Sequence, residues 1–454
     1  MSVAPAPLPA PVGARKGLFG RDARWVVYCA IVLNVVLFVR VAVLSSPLYS
    51  YRGPSGADRV YYYAYTRSIV IDHDLDFTNE FAARPPSSGA IFRNGRQLNK
   101  YPIGTPILSV PAFAVVHAVM STLCWAGFDV STDGYSPPYA MAFAVSQLMF
   151  ALLGAWLLYL TLLRYFPGHI AAIAVVTAWF GTNALHYTAV DLMMSHAAAM
   201  FSTSWCGYEA VTLSESPARS VKWFRLGVSS ALVGLVRYQN AVFLLVPCAA
   251  ALVVLADSAR RRSAATAMRN IAGAALGALM AVVPQFLTWK SMFGSWIVNS
   301  YGQEFAFTWR HPHLLDIFLR NPAYGLVIWL PLLTVGVLGC LRVAVRRVNA
   351  IALAAAVAWV VNLYVISSWW AWASIAQRAA FDSLLPIGLG AGAALTEFPG
   401  RWQPAVVSIL AALIGWSVPF AAIGVPETVS GSTLFAAWWQ CCRALLHLVV
   451  RDVI

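Results

Sequence analysis

Long apolar runs, separated by short polar clusters, dominate the chain from Trp25 onward. Many approach the roughly 20 residues that cross a bilayer as a helix. They do not alternate apolar with polar positions, which argues against a β-barrel. The successive runs are Trp25–Ser46, Ala140–Leu163, His169–Tyr187, Met194–Leu213, Trp223–Val236, Ala241–Ala256, Ile271–Leu287, Tyr324–Leu341, Ile351–Ile366, Leu384–Leu395 and Val406–Ile423. This pattern predicts an all-α polytopic membrane protein with about 11 transmembrane helices, within a range of roughly 10 to 13.

Basic residues orient these spans. Arg15, Lys16, Arg21 and Arg24 precede the first run, so residues 1–24 read as a disordered basic cytoplasmic tail. A transmembrane domain follows over 25–424, and its extracytoplasmic loop 49–137 carries amphipathic interfacial helices. The run Pro102–Phe128 is broken by Pro106 and Pro111. It reads as interfacial or re-entrant, because counting it as a span turns every later basic cluster outward. The C-terminal tail 425–454 places Arg443, His447 and Arg451 at helical spacing, which predicts an amphipathic surface helix over Leu434–Ile454, with a twelfth span as the alternative.

Composition supports the same class. Of 454 residues, 60% are hydrophobic and 11% charged, about half the charge of a soluble domain. The net charge of +13 sits between apolar runs, as loop asymmetry requires, and gives no reason to invoke nucleic acid. The seven cysteines are scattered and form neither a zinc spacing nor a disulfide framework. No inverted or parallel repeat is visible, which counts against a secondary transporter.

The remaining polar residues fall on outward segments. The first reads DRVYYYAYTRSIVIDHDLDFTNE, from Asp58 to Glu80. Its tyrosines suit a helix in the headgroup layer. Its carboxylates do not follow from anchoring, although a solvated loop is the plain alternative. One of these carboxylates is a candidate general base or metal ligand, and Asp58 stands at an N-cap-like position. Asp74-Leu-Asp76 has the form of a DxD pattern that can aim two carboxylates at a cation. Lys100, beside Tyr101, suits a lipid phosphate or simply snorkels. Arg237 interrupts a long apolar stretch, where a charge is expensive and usually functional. Arg378 follows the aromatic cluster Trp369-Trp370. With no nearby acid except Asp382, it calls for an anion such as phosphate.

In this order the motifs resemble the GT-C superfamily of integral-membrane glycosyltransferases, relatives of the protein mannosyltransferases and the lipid A aminoarabinose transferase. The segments are Asp58-Arg-Val-Tyr-Tyr-Tyr63, Asp72…Glu80, Lys100-Tyr-Pro-Ile-Gly104, Met194-Ser-His196, Arg237-Tyr-Gln239, Asn321…Pro331 and Trp369-Trp370…Arg378. The resemblance implies transfer of a sugar from a polyprenyl-phosphate donor to a hydroxyl acceptor (lipid, glycan or protein). It places the reaction on the outer face of the bacterial cytoplasmic membrane, with inversion and with Asp58 as base. Lys100, Tyr101, His196, Arg237, Gln239, Trp369, Trp370 and Arg378 are then expected at the substrate. Asp74, Asp76 and Glu80 are expected to hold sugar or acceptor hydroxyls, or a divalent cation. No cofactor is required and no dedicated metal site is expected. Many members carry a second acid directly after the first, where this chain has Arg59. The alternatives are a diphosphate-linked polysaccharide ligase or polymerase, a secondary transporter and a membrane scaffold.

Overall fold

The computed structural model describes residues 23–40, 57–83, 91–93, 95–261, 264–304, 306–317, 325–346, 348–369, 378, 380–398, 400–423 and 434–450. Most of the expected N-terminal tail, part of the Asn321…Pro331 segment, Trp370 and both ends of the C-terminal tail lie outside the described residues.

The described chain is helical apart from one short hairpin. The helices begin with α1 (Arg24–Val39), α2 (Ala57–Arg67), α3 (Thr78–Ala83), α4 (Gly104–Trp125), α5 (Pro137–Leu162), α6 (Gly168–Phe180), α7 (His196–Thr212) and α8 (Ser220–Val236). They continue with α9 (Leu245–Arg261), α10 (Ala264–Phe293), α11 (Leu326–Trp329), α12 (Pro331–Arg346), α13 (Ala350–Ser368), α14 (Leu385–Glu397), α15 (Gln403–Ile423) and α16 (Leu434–Val450). Strands β1 (Ile91–Arg93) and β2 (Arg96–Leu98) pair antiparallel, with Phe92 opposite Gln97.

Among the described residues, six helices are long and apolar enough to cross a membrane: Gly104–Trp125, Pro137–Leu162, Tyr238–Asp257, Ala264–Phe293, Ala350–Ser368 and Gly400–Ile423. This supports a multi-pass membrane protein, and by length and composition it gives fewer spans than the expected number. Several other apolar runs form shorter helices, such as α7 with 17 residues, α12 with 16 and α14 with 13.

Pro102–Phe128 departs from its expectation in one respect. It folds as a single 22-residue helix straight through Pro111 and meets the length and hydropathy of a span. One face of it packs on the start of α5. Ser109 accepts from Gln147 at 2.7 Å, and His117 meets the Tyr139 hydroxyl at 2.9 Å. The later half of α5 packs on α7 instead, where a Cβ on Gly154 would lie 2.9 Å from the Phe201 Cα. Thus α4 and α7 cover successive levels of α5.

Small residues let the helices approach closely, as is common where lipid replaces water as solvent. A Cβ on Gly390 of α14 would fall 1.7 Å from the Gly336 carbonyl oxygen of α12. Buried polar side chains tie α1 to the bundle, because Asn34 and Trp179 both donate to the Thr188 hydroxyl, at 3.0 and 2.8 Å. At the far end of the chain, α16 stacks Trp438 on Trp416 of α15 at 5.9 Å.

The tyrosine-rich α2 is not a lipid-facing element. Tyr61, Tyr62, Tyr63 and Tyr65 are each at most 2% exposed. Tyr62 and Tyr63 pack with Phe113, Tyr139 and Phe143, whereas Tyr61 and Tyr65 pack with Phe77, Phe81, Met292 and Phe293. Large aromatic rings on several faces of a helix demand partners on several sides, and α4, α5 and α10 supply them.

Candidate active site where helix ends converge

Gly104 fixes the start of α4 against the end of α8. A Cβ there would lie 2.5 Å from both the carbonyl carbon and oxygen of Leu235. This contact joins the two segments that carry Tyr101, three residues before Gly104, and Arg237, two residues beyond Leu235. The first turn of α2 brings Asp58, and the first residue of α7 is His196. Arg378 and Asp382 come from the connection between α13 and α14.

Asp58 is the centre of this convergence. Its Oδ1 accepts from the Tyr101 hydroxyl at 2.7 Å, and its Oδ2 accepts from Arg378 Nη2 at 3.1 Å. Burial pushes the Asp58 carboxyl up, but Arg378, Tyr101 and the more distant Arg237 outweigh it and hold the group below its usual range. Burial, and after it the Asp58 charge, push the Tyr101 hydroxyl well above its ordinary value, so it remains a donor.

Arg237 is enclosed by partners. It meets Asp382 Oδ2 at 3.1 Å, Ser195 Oγ at 3.1 Å, His196 Nε2 at 3.2 Å and Gln239 Oε1 at 3.2 Å. Asp382 Oδ1 in turn lies 2.7 Å from His196 Nδ1. Since an arginine N–H must donate, His196 Nε2 accepts and Nδ1–H donates to Asp382. The imidazole is therefore locked in one tautomer between a fixed cation and a fixed anion, and its ring lies 4.2 Å from that of Tyr187, tilted by 43°.

Two further ion pairs flank the centre. Arg59 pairs with Asp191 at 2.6 Å, so an acid from a distant segment stands beside the residue that follows Asp58. Lys100 Nζ lies 2.8 and 2.6 Å from the two oxygens of Glu304, ringed by Tyr61, Tyr101 and Tyr301. Trp369 Nε1 donates to the Glu304 carbonyl at 2.9 Å, which brings it to the rim of the site.

The structure thus gathers Asp58, Tyr101, His196, Arg237, Gln239 and Arg378, with Lys100 and Trp369 alongside. It does not bring Asp74, Asp76 or Glu80 there. Asp74 Oδ1 accepts from Ser68 Oγ at 2.8 Å and from Asp76 N at 3.1 Å. Asp76 Oδ1 caps the start of α3 through Thr78 N at 3.2 Å. Glu80 is buried against Arg67 at 2.7 Å, and burial pushes its carboxyl up to about 8 against the pull of that guanidinium. Among the described residues, no group of three or more His, Cys, Asp or Glu is arranged to hold a metal ion.

Sequence reasoning missed several participants. Asp382 was the neighbour in sequence of Arg378, but it pairs with Arg237. The partner of Arg378 is Asp58, 320 residues away. Glu304 and Tyr301 carried no motif at all.

The fold is shared with solved membrane enzymes. No protein-family model matches the chain, and no curated protein matches it in sequence. In structure it is similar to ArnT from Cupriavidus metallidurans, a GT-C membrane glycosyltransferase. The apo form matches with a TM-score of 0.52 and 16% identity over 94% of this chain and 70% of that one. The same enzyme bound to undecaprenyl phosphate matches with a TM-score of 0.55, again at 16% identity over 94% and 70%. The apo oligosaccharyltransferase of Archaeoglobus fulgidus gives a TM-score of 0.46 at 12% identity over 88% of this chain and 56% of that one.

Proposed function

We propose that this protein transfers a sugar from a polyprenyl-phosphate donor to the hydroxyl of a lipid, glycan or protein acceptor, with inversion, at the outer face of a bacterial cytoplasmic membrane. The observation that carries this reading is Asp58, a buried carboxylate held between a tyrosine hydroxyl and a guanidinium in a site rich in cations. The fold shared with ArnT, whose structure bound to undecaprenyl phosphate is known, supports the choice of donor.

The chemistry follows from these groups. Asp58 takes the proton of the acceptor hydroxyl. The acceptor oxygen attacks the anomeric carbon from the side opposite the phosphate, and the bond between that carbon and the phosphate oxygen breaks. The electron pair leaves on the phosphate, where Arg378 and Lys100 stabilise the added charge. Arg378 has a second role. While it pairs with Asp58 the carboxylate is a weak base, and transfer of the guanidinium to the donor phosphate raises its basicity. Arg237 is held by four partners and serves as the fixed positive wall behind this exchange.

The test is turnover in nanodiscs with a panel of polyprenyl-phosphate sugars and a membrane lipid extract, with and without chelator. Release of polyprenyl phosphate by the wild type, with loss of about 100- to 10,000-fold in Asp58→Asn, is the expected result. Undiminished release by that variant removes Asp58 as the base. Inhibition by chelator would add a divalent cation to the site.

A further inference from the structure

We infer that Glu304 is a displaceable counter-ion for Lys100 and that its return drives the phosphate product out of the site. The inference rests on the donor reading above. Each of the four cations named at the site faces a carboxylate: Arg378 with Asp58, Arg237 with Asp382, Arg59 with Asp191 and Lys100 with Glu304. The arginines keep further N–H donors, but the Lys100 ammonium is buried with both Glu304 oxygens on it, so a phosphate that engages Lys100 competes directly with that carboxylate. The carboxylates differ in how easily they yield. The side chains of Asp382, Asp191 and Asp58 are 0, 11 and 12% exposed, whereas that of Glu304 is 32% exposed. Glu304 can therefore swing into water and be hydrated there, while Asp382 would carry a buried charge with it.

The local structure favours movement of the side chain rather than of the segment. Trp369 holds the Glu304 carbonyl at 2.9 Å, and Phe307 bridges to Trp369 through the backbone. Ser300 Oγ donates to the Lys100 carbonyl at 2.6 Å, so the segment is tied down at both ends. Lys100 is only 3% exposed and ringed by Tyr61, Tyr101 and Tyr301, so the ammonium stays in place when its partner leaves. The donor is a phosphate diester with one negative charge, and the product is a monoester that carries more. The product holds Lys100 more strongly, and a tethered carboxylate at high local concentration is what competes it off.

The test is equilibrium binding of undecaprenyl phosphate to the full chain in nanodiscs, with donor turnover measured alongside. Glu304→Gln is expected to bind about tenfold more tightly, since it removes one charge-assisted competitor. Its KM for donor is expected to fall and its kcat to fall with it, because product leaves more slowly. The effect is expected to vanish in a Lys100→Gln background, which separates competition from a general change in the loop. Glu304→Asp keeps the charge but shortens the reach, so about threefold tighter binding is expected; this variant carries the test if Glu304→Gln does not fold. Unchanged or weaker binding in a folded variant, while the wild type binds, overturns the role of Glu304 and leaves the donor reading intact. Absence of binding in the wild type and every variant overturns both.

Discussion

Replacement of Asp382 by Asn tests whether the buried network behind Asp58 is structural. The Asp382 side chain is fully buried and meets His196 Nδ1 at 2.7 Å and Arg237 Nε at 3.1 Å. Asn keeps the volume and one acceptor oxygen. If that oxygen stays on His196, the amide N–H groups face a guanidinium that can only donate. Removing one partner of a buried ion pair costs about 3–5 kcal/mol. Arg237 retains Ser195 and Gln239 as acceptors, so the lower end applies. A loss of about 3 kcal/mol lowers the folded-to-unfolded ratio by more than about 100-fold. The assay is heat-induced loss of monodisperse protein in detergent, paired with turnover at low temperature. A clear fall in the midpoint is expected, with turnover reduced far less than in Asp58→Asn. An unchanged midpoint would show that the network holds no stability and would refute the reasoning.

Three other outcomes follow from the same geometry. Arg378→Ala is expected to lower kcat by about 100- to 1000-fold, and Arg378→Lys to recover only part, since an ammonium cannot bridge two oxygens as a guanidinium does. With Arg378 on Asp58 in the free enzyme, the lowered pKa keeps the base ionised through the usual carboxylate range, so kcat/KM is expected to show no acid limb above that range. The contribution of Asp58 to stability is complete above its unfolded value and lost as pH falls through the lower folded value; an acid limb centred near pH 6 would contradict this assignment. Gly104→Val forces α4 away from the Leu235 backbone, so it is expected to separate Tyr101 from Asp58 and abolish turnover while the purified protein remains folded by circular dichroism.

The helices were largely legible because their apolar runs are long. Met194–Leu213 corresponds to α7 at His196–Thr212, and Val406–Ile423 to α15 at Gln403–Ile423. The environment of the tyrosines was not legible, since the same rings suit a headgroup layer and a buried helix with neighbours all round. Asp58, Arg237 and Arg378 stood out because a charge in an oily chain is costly and needs a reason. Their pairing could not be read, because Asp58 and Arg378 lie 320 residues apart and meet only in the folded chain. Asp74 and Asp76 looked like a cation motif, yet the spacing of two residues equally suits consecutive turns, and the hydrogen bonds follow that use. Glu304 was invisible for the opposite reason. A single acid in a polar segment carries no pattern.

The one-to-one matching of cations and carboxylates bears on selectivity in a crowded bilayer. Bulk phospholipids present phosphates at concentrations no rare lipid carrier can rival. A site with unpaired arginines would be saturated by them. Here each of the four described cations at the site already faces a carboxylate, so an incoming headgroup competes with that partner, and a phosphate alone gains little by entering. Only a ligand that adds contacts through its sugar or chain recovers the cost of displacing it. On the proposed donor reading, internal neutrality is what would distinguish the carrier from the surrounding membrane, and turnover is expected to be indifferent to the fraction of anionic phospholipid in the nanodisc.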